Sequence, residues 1–278
     1  MRRTLRVSRF RWTVAVISGD SAPLRFGRVV VIGGGCYGSW YAQQLTRAAA
    51  RGAFAAREVI VVDRDADCRV ATLARDGAYG ALPLRVEICA WDDYLRQWLA
   101  EGPIALASDA MVPSPLMPHL CLNWLIERAK ARWPDRLVTV VALPAPPPMP
   151  WERAAPDGRH YVSFATWTCP VNCIEPARCP ATRDERDWSM PSALRAFAAE
   201  QRATLDASLI LHCTHRTYGV GMIDARDIVA GDALLHAWKS AAPFRLLVGT
   251  VSHCHGALGV LTIAQHAASP FGFTPAKL

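Results

Sequence analysis

The sequence predicts an α/β protein built on a parallel sheet, and three observations carry that expectation. Residues 28–63 read RVVVIGGGCYGSWYAQQLTRAAARGAFAAREVIVVD, a β-branched run, a glycine turn, an alanine-rich stretch and a second apolar run. Arg28–Ile32 is continuously apolar after its first residue, as a strand buried on both faces must be. The alternation then continues along the chain, and strands alternating with helices imply parallel pairing through right-handed crossovers.

Taken in order, the first strand ends at three glycines and a helix follows over residues 37–50. The next strand, Val59–Val62, closes on Asp63. Residues 84–89 read as a third strand, 92–100 as a short helix carrying Tyr94, Leu95, Trp98 and Leu99, and 104–107 as a fourth strand ending in Ser108-Asp109. An amphipathic helix over 118–133 and a fifth strand over 137–143 complete this half.

The glycines Gly33, Gly35 and Gly38 give G-x-G-x-x-G, with Ala42 four residues on. Gly33 permits the tight turn out of the strand, and Gly35 lets the backbone approach a pyrophosphate. Gly38 lets the helix lie close to the sheet. The helix amino terminus offers free N–H groups and partial positive charge to phosphates. Asp63 stands where a carboxylate accepts both hydroxyls of an adenosine ribose.

On these residues the stretch 28–63, extending to about 142, resembles the Rossmann dinucleotide-binding superfamily. The resemblance implies a doubly wound parallel sheet that binds NAD(P) or, less often, FAD. The implied cofactor contacts are Gly33, Gly34, Gly35, Cys36, Tyr37, Gly38, Asp63 and Arg64. Asp63 favours NAD because it repels a 2′-phosphate, while Arg64 keeps NADP open. A glycine turn with an acid ending the next strand also occurs in S-adenosylmethionine-dependent methyltransferases. The spacing through Gly38 and Ala42 favours the dinucleotide.

Length and composition set the remaining bounds. A chain of 278 residues suffices for one large domain or two modest ones. Half of it is apolar and a fifth charged, as in folded, soluble proteins. The net charge of +7 owes much to Arg2, Arg3, Arg6, Arg9 and Arg11, and no lysine-rich stripe or basic–aromatic pattern points to nucleic acid. Residues 1–27 read as a basic arm. Its apolar core, Trp12–Ile17, is shorter than the roughly 7–15 residues of a signal peptide. No later run reaches the roughly 18 apolar residues that span a bilayer. The expectation is a cytoplasmic protein without membrane insertion.

Residues 144–150, PAPPPMP, can be neither helix nor central strand. They divide the chain into a dinucleotide-binding domain over 28–143 and a Cys/His-rich α/β region over 151–278. There, residues 160–167, 209–211 and 244–251 read as strands, and 188–204 as a helix with Ser189 as N-cap and Pro191 in its first turn. Each strand leads into a thiol or imidazole cluster: Cys169/Cys173/Cys179, His212/Cys213/His215 and His253/Cys254/His255. If the strands are parallel, the clusters converge at one sheet edge; if antiparallel, they lie at opposite ends.

In a cytosolic setting, nine cysteines point to metal, catalysis or packing rather than disulfides. Thiolate and imidazole suit zinc or an iron–sulfur cluster, with Cys169, Cys173, Cys179 and Cys213 as the expected ligands. The x3-then-x5 spacing matches no zinc ribbon or ferredoxin run, so bare packed thiols and a redox-active pair stay open. His160, His236 and His266 read as ordinary residues, and Arg183–Asp187 as a solvated charge run. No Walker loop, G-x-S-x-G elbow or H-E-x-x-H helix is present.

These readings combine into an NAD(P)-linked oxidoreductase with a Cys/His metal or iron–sulfur site, His215 and His253 being the expected proton donors. Its partner is a small-molecule substrate or a redox protein, and a homo-oligomer is left open. The competing readings are an NAD-binding sensor without turnover and the methyltransferase.

Overall fold

Strand β1, Leu24–Ile32, begins four residues inside the segment expected to be a free arm, because Leu24, Arg25 and Phe26 already pair with Phe54, Ala55 and Ala56. The computed structural model describes residues 22–265 apart from 144, 146, 170–172, 240 and 241. Residues 1–21 of the arm, Pro144, Pro146 and His266 lie outside the described residues.

Helix α1 is Cys36–Ala50, β2 Phe54–Asp63, α2 Arg69–Arg75, β3 Leu84–Ile88, α3 Trp91–Leu99, α4 Gly102–Ala105 and β4 Ala110–Val112. The expected strand over 104–107 is instead the single turn α4. Pro103 sits in its first turn, and Ile104 is 92% exposed. Four apolar residues are too few to separate a strand period from a helical one. The fourth strand lies just downstream at Ala110–Val112, parallel to β1.

Helix α5 is Leu120–Arg132, β5 Arg136–Val141, β6 Trp151–Ala154, β7 His160–Ser163 and α6 Met190–Glu200. Then come β8 Ala207–His212, β9 Thr214–Thr217, β10 Val220–Asp224, α7 Ala225–Ala237, β11 Phe244–Val251 and β12 His255–Gln265. The protein is a mixed α/β fold with two mixed sheets. The first runs β3-β2-β1-β4-β10-β9, and only its first four strands are parallel. The second runs β6-β7-β12-β11-β8, with β5 also paired to β12.

The expected wholly parallel sheet is therefore corrected in two places. The strand at 137–143 joins the second sheet, antiparallel to β12 (Thr139 opposite Thr262). In exchange, β10, from beyond the prolines, pairs antiparallel with β4, and β9 pairs antiparallel with β10 to complete the first sheet. Apolar alternation reveals a strand but not the sheet it joins.

The two-residue period of β1 and β2 sorts side chains to opposite faces. Val29, Val31, Val59 and Val61 pack under α1 (Ala42, Leu45, Ala48) and α2 (Val70). Val30, Ile32, Ile60 and Val62 face α3, α5 and α7, whose far side meets Leu246, Val248, Leu261 and Ile263 of the second sheet. Helix α6 covers that sheet's other face through Met190, Leu194 and Phe197. The layers thus run helices, sheet, helices, sheet, helix. Among the described residues no helix is long and apolar enough to cross a membrane.

Candidate functional site

The glycine turn has the backbone its sequence demands. Gly33 takes φ +90°, a left-handed conformation open to glycine, and its N–H bonds the Val62 carbonyl at 2.9 Å. Trp91 roofs the turn, donating its indole N–H to the same carbonyl at 3.0 Å. A methyl on Gly38 would overlap the Gly33 carbonyl oxygen, whereas nothing lies within 4 Å of a methyl built on Gly35, the N-cap of α1. One position is thus glycine for packing, and the other leaves open space before the helix terminus.

The flanking residues divide between turn and solvent. Asp63 accepts the Gly34 amide at 2.6 Å through one oxygen and the Asp65 amide at 3.0 Å through the other. Gly34 is enclosed by Cys68 and Asp63. Cys36 and Arg64 are exposed, and Tyr37 is half-buried. Arg69 Nη1 stands 4.0 Å from Cys36 Sγ.

At the other sheet, strand sense decides whether the Cys/His clusters meet. Strands β8 and β11 are parallel, with His212 in register with Val251. Strand β7 is antiparallel to β12, which is antiparallel to β11, so β7 and β11 run the same way. All three strands end at one edge. His212 and His253 come within 6.4 Å, ring to ring, and Ser163 Oγ bonds His255 Nδ1 at 2.9 Å.

A cavity of about 170 Å³ lies at this edge, lined by Cys169, Cys173, Cys179, Cys254, His215 and His255 among others. Cys213 is not among its lining residues. It borders the adjoining crevice instead, with its Sγ against Gly221. That crevice, about 400 Å³, lies between the sheets. Tyr41 of α1, Pro113–Pro115 after β4, His215 and His255 border it. His215 and His255 therefore belong to both spaces. His253 meets the site chiefly through its backbone.

Sequence reasoning missed Glu175, which ties these pieces together. It sits between Cys173 and Pro176 and takes φ +52°, unusual for a residue with a side chain. Its carboxylate accepts Ser252 Oγ at 2.6 Å, the His253 amide at 2.8 Å and the Cys254 amide at 3.0 Å. His215 Nδ1 is 3.6 Å away. Burial opposes ionisation, but His215, Ser252 and the His253 amide outweigh it and hold the carboxyl at about 2. A glutamate in a proline-rich loop has no periodicity to announce it. The only cue was its place between cysteines.

The thiols differ in environment. Burial, then the neighbouring Cys173 and Cys179, raises Cys169. Cys179 is 4% exposed yet sits in a thin surface loop, and its thiol is lowered because the Thr182 amide outweighs burial. Burial pushes Cys213 to about 12 and Cys254 to about 11, although the Trp188 indole N–H bonds Cys254 Sγ at 3.2 Å. Burial also lowers His212 and His255. Among the described residues, no three His, Cys, Asp or Glu side chains are already arranged to hold a metal ion.

Compared with curated proteins and with solved structures, the chain gives no match. Residues 121–264, which include every element of the Cys/His edge, match the family model AF_1314_C, described as "Uncharacterized protein, C-terminal domain". That match covers just over half of the chain, and the chain belongs to this family.

Proposed function

We propose that the protein is an NAD(P)-linked oxidoreductase, with the dinucleotide held by the glycine turn and the reacting end in the crevice between the sheets. One observation carries this reading. Helix α1 begins at the open Gly35 and, through Tyr41, lines the same crevice as His215. A parallel sheet binds ligands outside the carboxyl ends of its strands, and Pro113–Pro115, directly after β4, border this crevice. The pairing order β3-β2-β1-β4 fits a Rossmann-like half-sheet.

The chain's residues take defined tasks in this reading. The amides at the start of α1 receive the pyrophosphate, and Asp63 keeps lone pairs for the ribose. Bound there, the cofactor supplies hydride exchange with a small-molecule substrate. His215 turns Nδ1 to Glu175, and Nε2, on the Gly221 side, holds or moves the substrate's proton. Cys169, Cys173 and Cys179 are the residues that would hold zinc or an iron–sulfur cluster, which supply carbonyl polarisation or electron relay.

Titration with NADH tests the reading by fluorescence. Binding should weaken at least about tenfold, or roughly 1.4 kcal/mol, in Gly35→Val and in Asp63→Ala. Tight binding of S-adenosylmethionine with no NADH binding would overturn it. Steady NADH oxidation with an acceptor separates an enzyme from a sensor.

A further inference from the structure

We propose that the cavity between the Cys169–Cys179 loop and the β11–β12 turn holds an iron–sulfur cluster on four thiolates, Cys169, Cys173, Cys179 and Cys254. This rests on reading the pocket as a metal centre and is independent of the dinucleotide.

Geometry selects the ligands. Four cysteines line this one cavity, three from the loop after β7 and the fourth from the turn after β11. Both segments sit at the same sheet edge because β7 and β11 run in the same sense. Glu175 fixes the join, since its carboxylate accepts the amides of His253 and Cys254 from within the cysteine loop. It is a positioning residue. Cys213 lies on the neighbouring strand but lines the crevice, beside Gly221.

The lining favours a cluster over a single ion. The cavity's 170 Å³ is several times the ~30 Å³ share of one water, which leaves room for several heavy atoms. Thiolates bridged by iron and sulfide stand around such a volume instead of meeting at its centre.

Hydrogen-bond donors are already turned toward the sulfurs. The Glu175 amide bonds Cys173 Sγ at 3.4 Å, and the Trp188 indole bonds Cys254 Sγ at 3.2 Å. The amides of Ala181 and Thr182 face Cys179. The Trp167 side chain is a hydrogen-bond partner of Cys169, and one further donor on the cavity wall, Arg186 Nε, is buried with no hydrogen-bond partner among the described residues. A buried donor without a partner is unfavourable, because it has given up its bond to water and gained none. A cluster is negatively charged and rich in sulfur acceptors, and hydrogen bonds to its sulfurs tune it. It offers the Arg186 Nε–H a partner.

The test uses the full chain, purified without oxygen and reconstituted with ferric iron, a thiol reductant and sulfide. Wild type should bind iron and acid-labile sulfide together and show visible charge-transfer bands. Cys254→Ser and Cys173→Ser should each lose most of the iron, at least about fivefold, while Cys213→Ser stays at the wild-type level. Thermal melts of the metal-free variants identify any that fail to fold, and two independent ligand variants keep the result decisive. Loss in Cys213→Ser with retention in Cys254→Ser would overturn the ligand set. Zinc bound without sulfide would overturn the cluster and leave the metal reading standing. A folded protein that takes up neither overturns both, while NADH binding is read separately.

Discussion

Glu175 accepts the Ser252 hydroxyl at 2.6 Å across 77 residues of sequence, and that contact locks the cysteine loop onto the β11–β12 turn. The same carboxyl is held at about 2 in the folded protein and returns to roughly 4.3 when unfolded. A depressed folded value adds stability above the unfolded value, and that stability is lost as pH falls from about 4.5 toward 2. At 1.36 kcal/mol per unit, the contribution at neutral pH is about 2–3 kcal/mol. Glu175→Gln should therefore be less stable than wild type by that amount at pH 7. The gap in urea midpoints should narrow by pH 3.5; a constant gap would refute the assignment.

Two glycines of one motif should behave in opposite ways. Gly38→Ala drives a methyl into the Gly33 carbonyl oxygen and should lower stability by about 3 kcal/mol, at the upper end for overpacking. Gly35→Ala meets open space at φ −77° and should change stability by less than about 1 kcal/mol. If the turn binds a dinucleotide, Gly35→Ala weakens NADH all the same. Thermal melts and NADH titration of both variants separate packing from binding.

Asp109 anchors the first sheet at its core-facing edge. It is 2% exposed and accepts Arg28 Nε at 2.6 Å, the Arg28 amide at 2.8 Å and the Trp98 indole at 3.2 Å. Asp109→Ala strands three donors and should cost about 3–5 kcal/mol. Glu101, the exposed partner of the same arginine, should cost under about 1 kcal/mol on removal. Denaturant melts of the two variants check the contrast.

Thiol labelling should report both exposure and ligation. In metal-free protein at pH 8, iodoacetamide should reach exposed Cys36 first. Cys121, 1% exposed, should react last, since burial pushes its thiol to about 12. Iron–sulfur reconstitution should protect the half-buried Cys169 and Cys173 and leave Cys36 reactive. Chelation should restore their labelling, read by peptide mass spectrometry.

Local order was legible in the sequence where chemistry is local. The run from Arg28 to Asp63 announced strand, turn, helix and strand because buried β-branched residues and glycine spacing act within a few positions. The Cys/His segments were also legible, as strands followed by clusters. Partnership was not. Nothing within Arg136–Val141 says that its partner is β12, over a hundred residues on. Glu175 escaped notice because its role comes from amides of residues 252–254, and Ile104 misled because Pro103 starts a helical turn there.

The exchange of strands across the prolines bears on how the chain reaches its structure. Strand β5 leaves the first half for the second sheet, while β9 and β10 return to the first. Neither sheet can close until residues near Asp224 and Gln265 are in hand. Loop-closure entropy must be met before such distant pairs reward it, which slows folding. Severing the chain at the prolines leaves β4 with a bare edge and β12 without one of its antiparallel neighbours. The two pieces are interlocked by strands that each contributes to the sheet of the other.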